Sequence, residues 1–148
     1  MRQINVIALG PQHVAESYAL ARMAFPRLSL TQWRSLANRW FRGSRGHKGA
    51  LVARDATLRM VGLAAYQVRE SLVNGRCLAV ERLVCLGLLD SAPVQLALIE
   101  ELVTLGRLQD CRNLEIGTDD RLDDLAWSAS RTGSRSQLLH FLLREGPG

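Results

Sequence analysis

Two carboxylates stand where carboxylates are rare. Glu81 interrupts the apolar run Cys77 to Leu86 (CLAVERLVCL), on the side it shares with Cys77, Ala79, Leu83 and Cys85. Burial in such surroundings disfavours the charged form and raises a carboxyl pKa. A carboxylate so tuned can take a proton near neutral pH, directly or through a water. Glu115 stands in a second short apolar segment, Asn113 to Gly117 (NLEIG). The alternative for each is a strand-end charge paired with an arginine.

The stretch Leu83 to Leu102 (LVCLGLLDSAPVQLALIEEL) reads as a buried strand, a tight turn and a long helix. That layout can cradle a phosphate, because the first N–H groups of a helix lack internal partners and carry partial positive charge. The turn itself, Asp90 to Gln95, contains no glycine and no cation. Pro93 has no N–H to offer. Asp90-Ser91-Ala92-Pro93 also reads simply as a good helix start, with Ser91 as cap and proline in the first turn.

Other chemistry-bearing residues are scattered. Cys77, Cys85 and Cys111 are odd in number, lie in apolar surroundings and lack metal-ligand spacing, so they read as buried thiols. His13, His47 and His140 share no motif, and His140 in an apolar strand reads as structural. Asp119, Asp120, Asp123 and Asp124 lack calcium-loop spacing and suit the positive end of a helix instead. No metal site is expected.

The elements that must position these residues follow from hydrophobic spacing. Ile4–Leu9 is a first strand, stopped by Gly10-Pro11. Val14, Tyr18, Ala21 and Phe25 recur at three- and four-residue intervals, which predicts a helix over 13–25 that ends at Pro26. A second helix starts after Ser29 or Thr31, with Trp33, Leu36, Ala37 and Trp40 as its apolar stripe. Its tryptophans read as core. Three antiparallel strands follow at 50–54, 60–69 and 77–86, with Asn74-Gly75 as a hairpin signal. The helix after the turn carries Val94, Leu98, Leu102 and Leu105 on one face. A strand at 113–117, a short helix at 119–131 and a last strand at 137–144 complete the order. The unit formed by strand 77–86, the helix and strand 113–117 is β-α-β, hence parallel and right-handed. The fold class is α/β: a mixed, mostly antiparallel sheet with helices on both faces, forming a single domain over 1–148.

Charge and length bound the rest. The chain has 148 residues and a net charge of +5. Between Ser17 and Arg54 there are seven arginines, one lysine and no acid. That segment could attract nucleic acid or an anionic substrate. No nucleic-acid motif accompanies it, so nucleic acid is not expected as a partner. No apolar run reaches the roughly 20 residues of a membrane span, and MRQINVIALGPQH lacks the features of a secretory signal. A cytoplasmic location without membrane attachment is expected.

This order of elements resembles the GNAT superfamily of N-acetyltransferases over nearly the whole chain. Leu83-Val84-Cys85 stand where the family has its Leu-x-Val strand end, Leu98-Ile99 and Leu102 match its helix, and Leu114-Glu115-Ile116 match the strand after it. The family loop between strand and helix is (Gln/Arg)-x-x-Gly-x-(Gly/Ala). Here Asp90 takes the first position, and Pro93 and Gln95 replace the glycines.

The resemblance implies acetyl-CoA or another acyl-CoA as co-substrate. It would be held by Leu83, Val84 and Cys85 at the strand end and by Ser91, Ala92, Pro93, Val94, Gln95 and Leu96 at the helix start. Glu81 resembles the strand glutamate that serves as base in the histone-acetylating branch. Glu115 matches the glutamate of the branch that acetylates ribosomal-protein N-termini. The acid is usually a tyrosine four residues before the glycine ending the last helix; counting back from Gly133 gives Ala129.

The implied activity is transfer of an acetyl or acyl group to an amine-bearing small molecule or protein, with the amine approaching from the early helices and the 60–69 strand. Arg34, Arg39 and Arg42 suit an acidic acceptor. The alternative is a catalytically inactive binding or regulatory module with a degenerate coenzyme A site. Only 15 residues follow Gly133, so a second copy completing the sheet edge, as a homodimer, is a further expectation. Glu81 and Glu115 are expected to approach one cleft, where the two parallel strands splay.

Overall fold

A computed structural model of the chain describes residues 3–43, 47–72, 75–86, 92–117 and 138–142. The elements run β1 (Asn5–Ala8), a 3-10 turn (Pro11–His13), α1 (Val14–Ala24), α2 (Leu30–Arg42), β2 (Lys48–Arg54), β3 (Met60–Ser71), β4 (Gly75–Cys85), α3 (Ala92–Leu108), β5 (Asn113–Gly117) and β6 (Leu138–Leu142). The six strands lie in chain order in one sheet. Every neighbouring pair is antiparallel except β4 and β5, which are parallel across α3. The α/β class and the β-α-β unit expected from the sequence are both present. The expected helix at 119–131 lies outside the described residues. Among the described residues no helix is long and apolar enough to cross a membrane.

Local chemistry explains the early helices. Ser29, not Thr31, caps α2. Its Oγ accepts from the Gln32 N–H at 3.1 Å, and the Gln32 side chain accepts the Ser29 N–H at 2.8 Å. This reciprocal pair satisfies two donors that the helix start would leave open. Trp33 is buried in α2, and its Nε1 donates to Val14 O and Ser17 Oγ of α1. The Tyr18 hydroxyl donates to Leu28 O at 2.8 Å and fixes the α1–α2 turn. The second tyrosine, Tyr66, is buried in the core beneath α3, and burial raises its pKa.

Two cores cover the two faces of the sheet. Val94, Leu98 and Leu102 of α3 pack on Leu51, Ala53, Ala64 and Val80, while α1 and α2 pack on Ala50, Val52 and Leu63. Period-2 alternation in β2 and β3 separates these two sets. The α3 helix comes down closely because Gly62 lies beneath it. A Cβ at that position would stand 2.6 Å from Val94 Cγ1 and 2.9 Å from Leu98 Cδ1.

Candidate active site

The pairing of β4 changes on both edges at one place. Against β3, Val80 faces Tyr66 and Leu83 faces Ala64, so three steps of β4 span two steps of β3. The extra residue is a bulge, which bends a strand and breaks its alternation. Glu81 and Arg82, adjacent in sequence, are therefore both exposed. Against β5, the ladder runs from Cys77–Asn113 to Val80–Ile116 and stops. Gly117 then lies against the Glu81 carbonyl, in space that a Cβ would need.

Beyond Val80 the β5-side edge of β4 is open among the described residues. The Leu86 N–H donates to Val61 O at 2.7 Å. Alternation along an antiparallel strand then turns Val84 toward β3 and directs the N–H groups of Leu83 and Cys85 at the open edge. The start of α3 is close by, since Cys85 pairs with Gly62 and Val94 packs over that glycine. Ala92, Pro93 and Leu96 are half-buried there, whereas Val94 and Gln95 are buried. Pro93 occupies the first turn of α3. Ser91 and Asp90 lie outside the described residues. The strand-end and helix-start groups expected to share a ligand are thus neighbours, apart from Ser91.

On the opposite face a cavity of about 610 Å³ lies between α2 and the sheet. Trp33, Leu36 and Trp40 form its apolar wall, and Arg27, Arg39, Lys48 and Glu81 its charged lining. The Trp33 and Trp40 rings meet edge to face, with centroids 5.5 Å apart at 84°. Trp33 is core, as its spacing indicates, but Trp40 is only half-buried and serves as wall. A second recess of about 210 Å³ shares Leu36, Arg39, Trp40 and Lys48.

Several sequence expectations need correction here. Glu81 is not enclosed by apolar neighbours. The bulge swings it out to the cavity rim, where it is exposed. Glu115 lies opposite Ala79, on the same sheet face as Glu81, but the two do not share the cavity. The Glu115 carboxylate is instead engaged with Cys77: after burial, its charge and a side-chain hydrogen bond are the next causes that hold the Cys77 thiol up at about 12. Of the three arginines expected to meet an acidic acceptor, only Arg39 lines the cavity; Arg34 and Arg42 do not. Lys48 and Arg27 do line it, and the sequence reading passed over both. The available signal was that Lys48 is the chain's single lysine, in a protein otherwise rich in arginine.

The remaining candidates fall outside the site. Cys111 is buried, but Cys85 is only half-buried, and burial pushes its thiol up to about 12. His13 Nδ1 accepts the Gly10 N–H, and His47 lies 3.2 Å from an Arg76 nitrogen. No group of metal ligands occurs among the described residues. The aspartates at 119–124 lie outside them, as does the side chain of His140.

No protein-family model matches the sequence, and no curated protein matches it. Solved structures do match the fold. The aminoglycoside N-acetyltransferase AAC(6')-Iy in complex with CoA superposes with a TM-score of 0.70 at 16% identity, over 81% of this chain and 80% of that one. The aminoglycoside 6'-N-acetyltransferase AAC(6')-Ih from Acinetobacter baumannii gives 0.69 at 13% identity, over 99% and 100%. Ribosomal-protein-alanine N-acetyltransferase from Brucella melitensis gives 0.68 at 16% identity, over 94% and 100%. With the parallel β4–β5 pair, the bulge at Glu81 and the open strand edge beside α3, the chain has the fold of the GNAT superfamily of N-acetyltransferases.

Proposed function

We propose that the protein transfers an acetyl or other acyl group from acyl-CoA to an amine. The observation that carries this reading is the position of Glu81. It stands at the bulge where β4 loses β5, between the open strand edge and the cavity under α2. Structures that share the fold are N-acetyltransferases, and one of them holds CoA.

The residues present suit such a reaction. The outward N–H of Leu83 or Cys85 donates to a thioester carbonyl oxygen at the open edge and stabilises the negative charge that grows on it. The N–H groups of Ala92 and Val94, in the first turn of α3, face a pyrophosphate through the helix N-terminus. Glu81 takes the proton from the attacking amine, directly or through a water. The C–N bond forms, the C–S bond breaks, and coenzyme A leaves as thiolate.

A binding or regulatory module without catalysis is the second reading. Pro93 in the first turn of α3 favours it, because one pyrophosphate donor is missing. The test is release of CoA thiol from acetyl-CoA across a panel of primary amines. Amine-dependent release that collapses in Glu81→Gln supports transfer. Binding of acetyl-CoA without amine-dependent release establishes the second reading.

A further inference from the structure

The cavity under α2 is electrically polar along its length. Lys48 of β2 faces Gln67 of β3, and Gln67 faces Ala79 of β4, with Glu81 two residues further on. At about 4.8 Å per strand and 3.3 Å per residue, the Lys48 and Glu81 Cα atoms are roughly 12 Å apart. Arg39 joins Lys48 at its end of the cavity, and the two also line the second recess. Trp40 and Leu36 form the wall common to both spaces.

These charges are not spent on one another. Arg54 pairs with Glu16 and Arg76 with Glu70, and neither pair touches the cavity. Among the described residues Arg39, Lys48 and Glu81 make no hydrogen bond or ion pair there. With their Cα atoms roughly 12 Å apart on either side of β3, Lys48 and Glu81 form the two ends of the cavity without pairing with each other. One end offers a carboxylate and the other Arg39 and Lys48, with Arg27 a third cation in the lining, and the wall between is mainly aromatic and aliphatic.

We infer that the acceptor is an elongated amine with an anionic group at its far end and an apolar or planar middle. This rests on the acyl-transfer reading for the amine end only. The protonated amine is drawn to Glu81, the anion lies between Arg39 and Lys48, and the middle packs on Trp40. Once side-chain reach is subtracted, the amine-to-anion span is about two extended residues, at 3.3–3.6 Å each. A polycation such as an aminoglycoside meets two like charges at the far end. The match therefore differs from the substrate class named for two of the structural neighbours.

Calorimetry on the full chain, without acyl-CoA, tests the assignment. The probes are three peptides, Ser-Phe-Asp amide, Ser-Phe-Asn amide and N-acetyl-Ser-Phe-Asp amide, and the aminoglycoside kanamycin. A small-molecule arm uses 6-aminohexanoate against 6-aminohexanamide. The acidic member of each pair should bind about tenfold more tightly, the scale of a charge-assisted contact in a partly enclosed site. Loss of the amine charge should weaken binding as well. In Arg39→Gln/Lys48→Gln the preference should shrink to within about twofold. Discrimination by the peptide pair alone identifies a polypeptide N-terminus, and by both pairs a small molecule; either supports the inference.

Equal binding of acid and amide, tighter binding of kanamycin, or no binding of any acidic probe by folded protein overturns it. Binding is read apart from turnover, so the two proposals fail separately. An acidic amine that binds but is never acylated removes the transfer reading and leaves the ligand class standing. Turnover of neutral or cationic amines alone does the reverse.

Discussion

Gly117 lies against the backbone carbonyl of Glu81, so close that no side chain fits between them. This contact falls one step beyond the last β4–β5 pair, Val80–Ile116. A Cβ at 117 would meet backbone, which cannot swing aside as a flexible side chain can. Gly117→Ala should therefore push the two strands apart and cost about 1–3 kcal/mol, the usual scale of overpacking. Urea denaturation of both proteins measures it. A variant as stable as the parent would mean that the strands part without needing the glycine.

Glu81 and Glu115 share a sheet face but stand in different surroundings. Among the described residues Glu81 borders the cavity without a side-chain partner, while Glu115 is engaged with Cys77. Glu81→Gln should lower kcat/KM by about 10²- to 10⁴-fold, the usual contribution of a general base. Glu115→Gln should change it by less than about tenfold. The comparison requires steady-state kinetics with one accepted amine. A reversed order would identify Glu115 as the base.

The thiols give a pH dependence with a definite sign. Burial raises Cys77 and Cys85 from 9.0 to about 12, with the Glu115 carboxylate as a further cause at Cys77. Between those values the folded chain keeps protons that the unfolded chain releases. The contribution to stability is thus full below pH 9 and is lost as pH rises toward 12. Unfolding free energies at pH 8 and 10.5 should fall less in Cys77→Ala/Cys85→Ala than in the parent. An equal fall in both would remove these thiols as its cause. Iodoacetamide at pH 8 should also leave Cys77 unmodified, because the thiolate is the reactive form.

The fold was readable because each element has its own local signal. Gly10-Pro11 and Pro26 stop the first strand and helix, the Ser29 cap starts α2, and the period of Val94, Leu98 and Leu102 defines the buried face of α3. The strand-end and helix-start groups are implied by the family resemblance, carried on Leu83-Val84-Cys85 and on the helix residues Leu98-Ile99 and Leu102. Glu81 was found but placed in the wrong surroundings. A bulge consists of one residue without a partner, and it is visible only once β3 and β4 are in register. Arg39, Lys48 and Trp40 come from different elements and meet only through the packing of α2 on the sheet. No spacing along the chain brings β2 and α2 together, and so Arg34 and Arg42 looked equal to Arg39.

In the proposed reaction acyl-CoA occupies the open edge of β4 beside the start of α3. A hydrogen bond to a charged group contributes about 1.5–3 kcal/mol, and Pro93 removes one such donor. Asp90, two residues before Ala92 in the sequence, is expected from that position to add repulsion of about 0.3–1 kcal/mol by the scale of helix-end charges. Affinity should therefore be about 30- to 1,000-fold below that of a loop with both glycines and a cation, near tens of micromolar to millimolar for an otherwise micromolar site. Titration of the isotope-labelled chain with acetyl-CoA, followed by amide shifts in two-dimensional NMR, measures site and affinity together. The account predicts saturable shifts at Leu83, Cys85, Ala92 and Val94 with a dissociation constant in that range. Unmoved amides at these four residues in 5 mM acetyl-CoA, with the spectrum of a folded protein, would contradict it.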